Sequence, residues 1–159
     1  METRCGQYTI STHKLKLDVS MVHEFLSQEA YWALGRSRDA VERSIASSIC
    51  FGVYDPNDRQ VGFARAITDQ ATFAWIADLF ILPEARGRGL AKGLMGAISG
   101  HPDLRDVRRW LLATRDAHAL YTGFGFEPLP EPGLYMVRVP AGPLSPSPAG
   151  HAGPSSGRK

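Results

Sequence analysis

The sequence predicts a single α/β domain, and three observations carry that prediction. Apolar runs of strand length alternate with segments whose apolar residues recur every three to four positions. The run Phe73 to Leu82 passes through Pro83 into an Arg/Gly-rich loop, and that loop opens directly into an amphipathic helix. A length of 159 residues with 43% hydrophobic content suits one domain with a substantial core.

Gln7 to Thr12 predicts a first strand, and Ser20 to Glu29 a helix that turns Val22, Phe25 and Leu26 inward. Tyr31 to Ser37 then places two large aromatics, Gly35 and Arg36 in a short interval before Arg38 to Ser47 resumes helical spacing through Val41, Ile45 and Ala46. Ile49 to Tyr54 and Gln60 to Thr68 read as two antiparallel strands, joined at Asp55 to Arg59 by residues that suit a turn better than a calcium loop. The next strand, Phe73 to Leu82, is apolar except for Asp78 and stops at Pro83, which has no N–H for a ladder.

From Gly89 the period becomes helical. Leu90, Ala91, Leu94, Ala97 and Ile98 share one side, and Gly100-His101-Pro102 ends the helix. Gly89, Gly93, Gly96 and Gly100 form a neighbouring stripe that predicts close packing on a sheet, although each interior glycine costs about 1 kcal/mol relative to alanine. Arg109 to Ala113 predicts a strand. Asp116 is placed to cap a short helix carrying Tyr121, Gly125 to close it, and Phe124 and Phe126 to flank a following strand. Leu134 to Val139 predicts a last strand. Residues 1–139 thus form the domain; 140–159, rich in Pro, Gly and Ser, lack the apolar side chains that would offset the entropy of ordering and predict a disordered tail.

The loop Arg86-Gly-Arg-Gly-Leu-Ala91 is the most informative feature. A helix N-terminus exposes amides without intrahelical partners and carries the positive end of the peptide dipoles, so it attracts anions, phosphates above all. Gly87 and Gly89 let such a group approach the backbone, and Arg86 and Arg88 add fixed positive charge. A nucleotide-triphosphate loop is excluded because Lys92 is followed by Gly93 and Leu94 rather than a magnesium-binding hydroxyl. A dinucleotide fingerprint fails because Lys92 occupies its third glycine position.

This loop, following an apolar strand, resembles the Arg/Gln-x-x-Gly-x-Gly/Ala signature of the GNAT superfamily of N-acetyltransferases. A second segment, Ala117-His-Ala-Leu-Tyr121-Thr-Gly-Phe-Gly125-Phe126, resembles the family's Ala-x-x-x-Tyr-x-x-x-Gly-Phe. The resemblance implies a GNAT-type mixed, largely antiparallel sheet of about six to seven strands flanked by about four helices. It implies acetyl-coenzyme A as cosubstrate, its pyrophosphate on the amides of Arg86, Gly87, Arg88, Gly89, Leu90 and Ala91, and its pantetheine arm against the backbone of Leu79, Phe80 and Ile81. Tyr121 would face the coenzyme sulfur. The interval between the first two helices would line the acceptor pocket, which makes Tyr31, Trp32 and Arg36 substrate-side candidates; loop packing is the competing reading. Many members place an Asn three residues before the alanine, where this chain has Thr114.

The implied reaction transfers an acetyl group to a primary amine, on a small molecule, an amino-acid-like acceptor or a peptide, by direct attack on the thioester. A lysine-like amine with a pKa near 10.4 has its neutral form about 4.6 kcal/mol uphill at pH 7. A proton acceptor would help. Asp78 is the candidate if burial raises its pKa, and a partner of Arg65 if it does not; His118 and Asp69 are reserve carriers. Tyr121 would protonate the leaving thiolate, and a strand amide near Phe80 or Ile81 would hold the oxyanion. A non-catalytic coenzyme A sensor is the alternative. Tyr31 and Trp32 would suit a cationic amine, and Arg36 and Arg65 a carboxylate, which favours a small amino-acid-like or polyamine acceptor over protein substrates.

The net charge of +2 comes from dispersed basic residues, which argues against nucleic-acid and membrane partners. Arg105 to Arg109 contains Asp106 and reads as a solvated loop. Cys5 and Cys50 lie far apart without ligand pairs, and the five histidines show no helical pairing, so neither disulfide framework nor metal is expected. With no targeting or membrane-spanning segment in sight, a cytoplasmic monomer or homodimer is the expectation.

Overall fold

A computed structural model describes residues 1–138. Six strands form one sheet in the linear order β1 to β6: Glu2–Cys5, Tyr8–Ser11, Ile49–Tyr54, Gln60–Thr68, Phe73–Ile81 and Arg109–Leu111. Neighbours are antiparallel except β5 and β6, which run parallel. The connection between those two carries α3, as a parallel pair requires a crossover. Four helices complete the fold: α1 (Val19–Gln28), α2 (Arg38–Ala46), α3 (Leu90–Ser99) and α4 (His118–Thr122).

The core divides across the sheet. Ile10, Phe51, Val53, Val61, Ala64 and Ile76 meet Leu90, Leu94, Met95 and Ile98 of α3. A second cluster joins Val22, Phe25 and Leu26 of α1 and Val41 and Ile45 of α2 to Cys50, Phe63 and Phe80. Local chemistry fixes where α1 and α2 begin: Asp18 accepts from the Met21 N–H, and Ser37 from the Ala40 N–H. Of the predicted glycine stripe, Gly93 carries the close approach, since a β-carbon there would lie 2.5 Å from Cys5 Sγ; Gly96 has open space beside it. Among the described residues no helix is long and apolar enough to cross a membrane.

The structure corrects several expectations. The N-terminal strand is a hairpin, because β1 pairs with β2 around Gly6; the exposed Glu2-Thr-Arg segment gives no apolar signal. The strand predicted over Leu134 to Val139 is not formed within the described residues. Pro132–Leu134 is a short 3-10 turn, 135–138 pair with no strand, and Leu134, Met136 and Val137 are exposed. Alternation alone cannot make a strand without a neighbouring edge. Val139 and the predicted tail at 140–159 lie outside the described residues. The strand expected after Phe126 is likewise absent from the described residues, where Pro128, Pro130 and Pro132 remove ladder donors. Asp116 does not cap α4: Ala117 holds that position, and its N–H donates to Thr114 Oγ1 at 3.0 Å.

Candidate active site

Strand β5 is paired on one edge along its length and on the other for three rungs only. Phe73, Ala74 and Trp75 face Arg109, Trp110 and Leu111; past Trp75 no described strand continues on that edge. On the opposite edge, in the ladder with β4, a bulge falls alongside this unpaired stretch. The β4 register jumps from Phe63↔Phe80 to Arg65↔Ala77, so Asp78 and Leu79 together oppose Ala64. Asp78 takes φ 53°, a left-handed conformation that aspartate tolerates better than most residues. Phe80 stacks on Phe25 with ring centroids 3.9 Å apart, and Ile81 enters the core. Their side chains are thus anchored, and the strand offers its backbone to the gap.

The gap leads to Arg86 to Ala91. Gly87 and Gly89 adopt φ 74° and 75°, and a β-carbon at either would meet nothing within 4 Å. Gly89 occupies the N-cap of α3 without any side-chain cap, so the first amides of the helix remain open to an anion. Leu90 is buried and Ala91 packs against the core, which fixes the helix start. Arg86 Nε donates to the Ile81 carbonyl at 3.0 Å, strapping the loop to the end of β5. Arg88 folds back onto β2, where Nη1 donates to the Tyr8 hydroxyl at 2.6 Å. Both arginines therefore shape the loop as well as charging it.

Tyr121 stands on α4, edge-on to Phe126 with ring centroids 6.0 Å apart. Burial pushes its phenol above the ordinary tyrosine range, with Tyr31 and Asp116 adding to the shift. The hydroxyl stays protonated at neutral pH and has no hydrogen-bond acceptor among the described residues. A cavity of ≈ 880 Å³ between β6, α4 and the segment after it includes Thr114, His118 and Tyr121 in its wall. It does not reach the α3 loop, which is an open surface. Thr114 is partly committed to the Ala117 N–H, and His118 is exposed.

Asp78 is not the isolated acid that the sequence suggested. Burial pushes its carboxyl up, but the guanidiniums of Arg65 and Arg36 outweigh that and hold it below the ordinary carboxylate range. Arg65 Nε and Arg36 Nη1 both donate to Oδ2 at 2.7 Å, and Trp32 Nε1 donates to Oδ1 at 3.1 Å. Such a carboxylate is a poor proton acceptor, which corrects the expectation of a raised pKa. Asp69 is corrected too. It accepts from Ala71, Thr72 and Phe73 N–H groups and from the Thr72 hydroxyl, all of which hold its carboxyl far down.

Residues 31–36 bridge the two sides of the gap. Trp32 and Arg36 bind Asp78 on β5, while the Tyr31 hydroxyl accepts the Arg115 N–H, at 3.1 Å, just before α4. Tyr31 and Trp32 meet edge to face at 5.0 Å, and the Arg115 guanidinium lies 4.0 Å from the centre of the Tyr31 ring. Sequence reasoning missed Arg115 and also Ser48, whose Oγ accepts from Arg65 Nη1 at 3.1 Å. Neither carries a local mark, since each acts through a contact distant in sequence.

Residues 46–128 match the acetyltransferase (GNAT) domain family. A candidate acetyltransferase of Gibberella zeae is 33% identical over 144 residues, covering 77% of this chain and 80% of the relative. A crystal structure of a candidate GNAT-family acetyltransferase from Xanthomonas campestris is 46% identical with a TM-score of 0.82, covering 86% of this chain and 95% of that one. A candidate acetyltransferase of Clostridium acetobutylicum, solved with acetyl-CoA, shares the fold at a TM-score of 0.61 and 13% identity, over 88% of this chain and 96% of its own. With an uncapped helix start following a half-paired strand, and with these relatives beside it, the chain belongs to the GNAT acetyltransferase family.

Proposed function

We propose that the protein is an N-acetyltransferase that takes the acetyl group of acetyl-coenzyme A to a primary amine of a small-molecule or amino-acid-like acceptor, by direct attack on the thioester. The observation that carries this is the continuity of the free β5 edge with the uncapped start of α3. The amides of Arg86 to Ala91 hold the pyrophosphate, an assignment supported by the open space above Gly87 and Gly89. The edge backbone of Leu79 to Ile81 takes the pantetheine amides as a missing strand would, and an amide there steadies the oxyanion.

Tyr121 protonates the departing thiolate. Its hydroxyl lacks an acceptor, and its raised pKa keeps the proton available well above neutral pH. Asp78 acts as a positioning residue that holds Arg36 and Trp32. With that carboxylate committed, the amine reacts as its neutral fraction and releases its proton to solvent after attack. The two free thiols suit a reducing cytoplasm.

Release of free thiol from acetyl-coenzyme A across an amine panel tests this function. Tyr121→Phe is expected to slow release 10- to 100-fold while the coenzyme dissociation constant stays within about twofold. Tight coenzyme binding with no turnover on any amine would instead identify a sensor of the acyl group.

A further inference from the structure

The charges around Asp78 do not balance. Two guanidiniums converge on one carboxylate, leaving one positive charge over in a largely enclosed setting. Arg65 is the buried partner: its Nε is on Asp78 Oδ2, its Nη1 on Ser48 Oγ, and its side chain is 11% exposed. Arg36 is different. It spends Nη1 on Asp78, its Nε and Nη2 have no partner among the described residues, and its side chain is 23% exposed. Nearby acids do not complete it: Glu42 is paired with Arg38 and Asp39 with Arg43. Arg115, the next cation toward α4, lies beside Asp116 and over the Tyr31 ring.

A half-desolvated guanidinium held in place by a carboxylate, with donors to spare, is a preorganised anion receptor. Its position matters as much as its charge. Asp78 directly precedes Leu79, whose backbone lines the gap, and Arg36 belongs to the segment that spans from β5 to the start of α4. An acceptor lying under that segment meets Arg36 at one end and the gap at the other.

Resting on the acetyl transfer proposed above, we propose that the acceptor amine carries an anionic group, a carboxylate or a phosphate, which docks on the free donors of Arg36. Polyamines are disfavoured, because a second ammonium would face the surplus positive charge.

The test compares amino acids with their amides, and phosphoethanolamine with ethanolamine, in thiol release and in calorimetric titration of the coenzyme A-loaded protein. The amide's amine is less basic than the amino acid's, so a preference for the carboxylate cannot come from a larger neutral fraction. The expected result is at least tenfold higher kcat/KM for one anionic class, the two pairs distinguishing carboxylate from phosphate. Arg36→Gln should reduce that rate 10- to 100-fold, lower turnover of neutral acceptors by a clearly smaller factor so that the anion preference collapses, and leave coenzyme affinity unchanged. Arg38→Gln, altering an exposed neighbour, should change none of these. Asp78 keeps Arg65 and Trp32 in the Arg36 variant, so the fold is retained. Turnover with no anion preference would overturn this inference and leave the acetyltransferase function standing. Arg36-dependent binding of an anionic amine without turnover would uphold it and overturn catalysis. Neither turnover nor Arg36-dependent binding would overturn both.

Discussion

Two cationic regions face the same gap and are built in opposite ways. The Arg86 to Ala91 loop presents backbone: two left-handed glycines and an uncapped helix start, with its arginines turned to the Ile81 carbonyl and to Tyr8. The cluster around Asp78 presents side chains from the 31–36 segment, β4, β5 and the residue before β3, all meeting at one carboxylate. A backbone receptor needs particular residue types at fixed spacing, so it writes itself into a few consecutive letters. A side-chain receptor needs only that distant segments converge.

The contrast sets the order of experiments. Asp78→Asn strikes the side-chain cluster hardest, leaving Arg65 buried opposite a neutral amide; a loss of about 3 to 5 kcal/mol is expected in urea unfolding. The same variant gives a pH test. The folded carboxyl lies below its ordinary value, so its contribution is fully present above the unfolded pKa of about 3.9 and fades as pH falls through the lower folded value. Wild type and Asp78→Asn should therefore converge in stability in acid, and parallel curves down to the acid limit would refute the ion-pair account.

Gly89→Val strikes the backbone receptor. It forces a β-branched residue into φ 75° and fills the space above the helix start, so coenzyme affinity should fall about 30- to 100-fold in calorimetry. Stability should change by about 1 to 3 kcal/mol.

With the neutral amine as the reacting species, the rate below the amine's own pKa should rise tenfold per pH unit and then level off. The plateau should persist past pH 10, because Tyr121 loses its proton only above the ordinary tyrosine range. An acid limb with a break below the amine's pKa, independent of the amine used, would point to a general base.

The smallest effect belongs to Ser37→Ala, which removes the cap of α2 next to Arg36 and should cost about 1 kcal/mol. Acceptor KM should rise modestly with coenzyme affinity untouched. A matching loss of coenzyme affinity would mean that the two regions are coupled.

The periodic parts of the fold were legible in sequence: α1, α2, β3, β4, β5 and α3 fall within one or two residues of their expected limits. The loop before α3 and the short helix of Tyr121 were legible as motifs. What escaped depends on partners. β1 is a polar edge strand that exists because β2 offers it a ladder, and the Leu134 to Val139 alternation finds no such edge within the described residues. Asp78 was singled out as the one charge in an apolar strand, but its chemical character is set by Arg36, 42 positions away, and by Arg65 across the ladder. Spacing reports which face a residue occupies and is silent about which charges reach it there.

The three-rung seam between β5 and β6 has a mechanical consequence. Two leaves joined along so short a spine open to an angle governed by what is packed at the joint, and Trp110, the middle rung on β6, is anchored there through its Nε1 on the Val107 carbonyl. Tyr121 belongs to the leaf beyond β6 and Asp78 to the leaf of β5, and besides the shared core packing the two are tied by hydrogen bonds between Tyr31 and Arg115 and from Trp32 and Arg36 to Asp78. Repacking at Trp110 would therefore retune the alignment of donor and acceptor from a distance, without altering a single group that touches either.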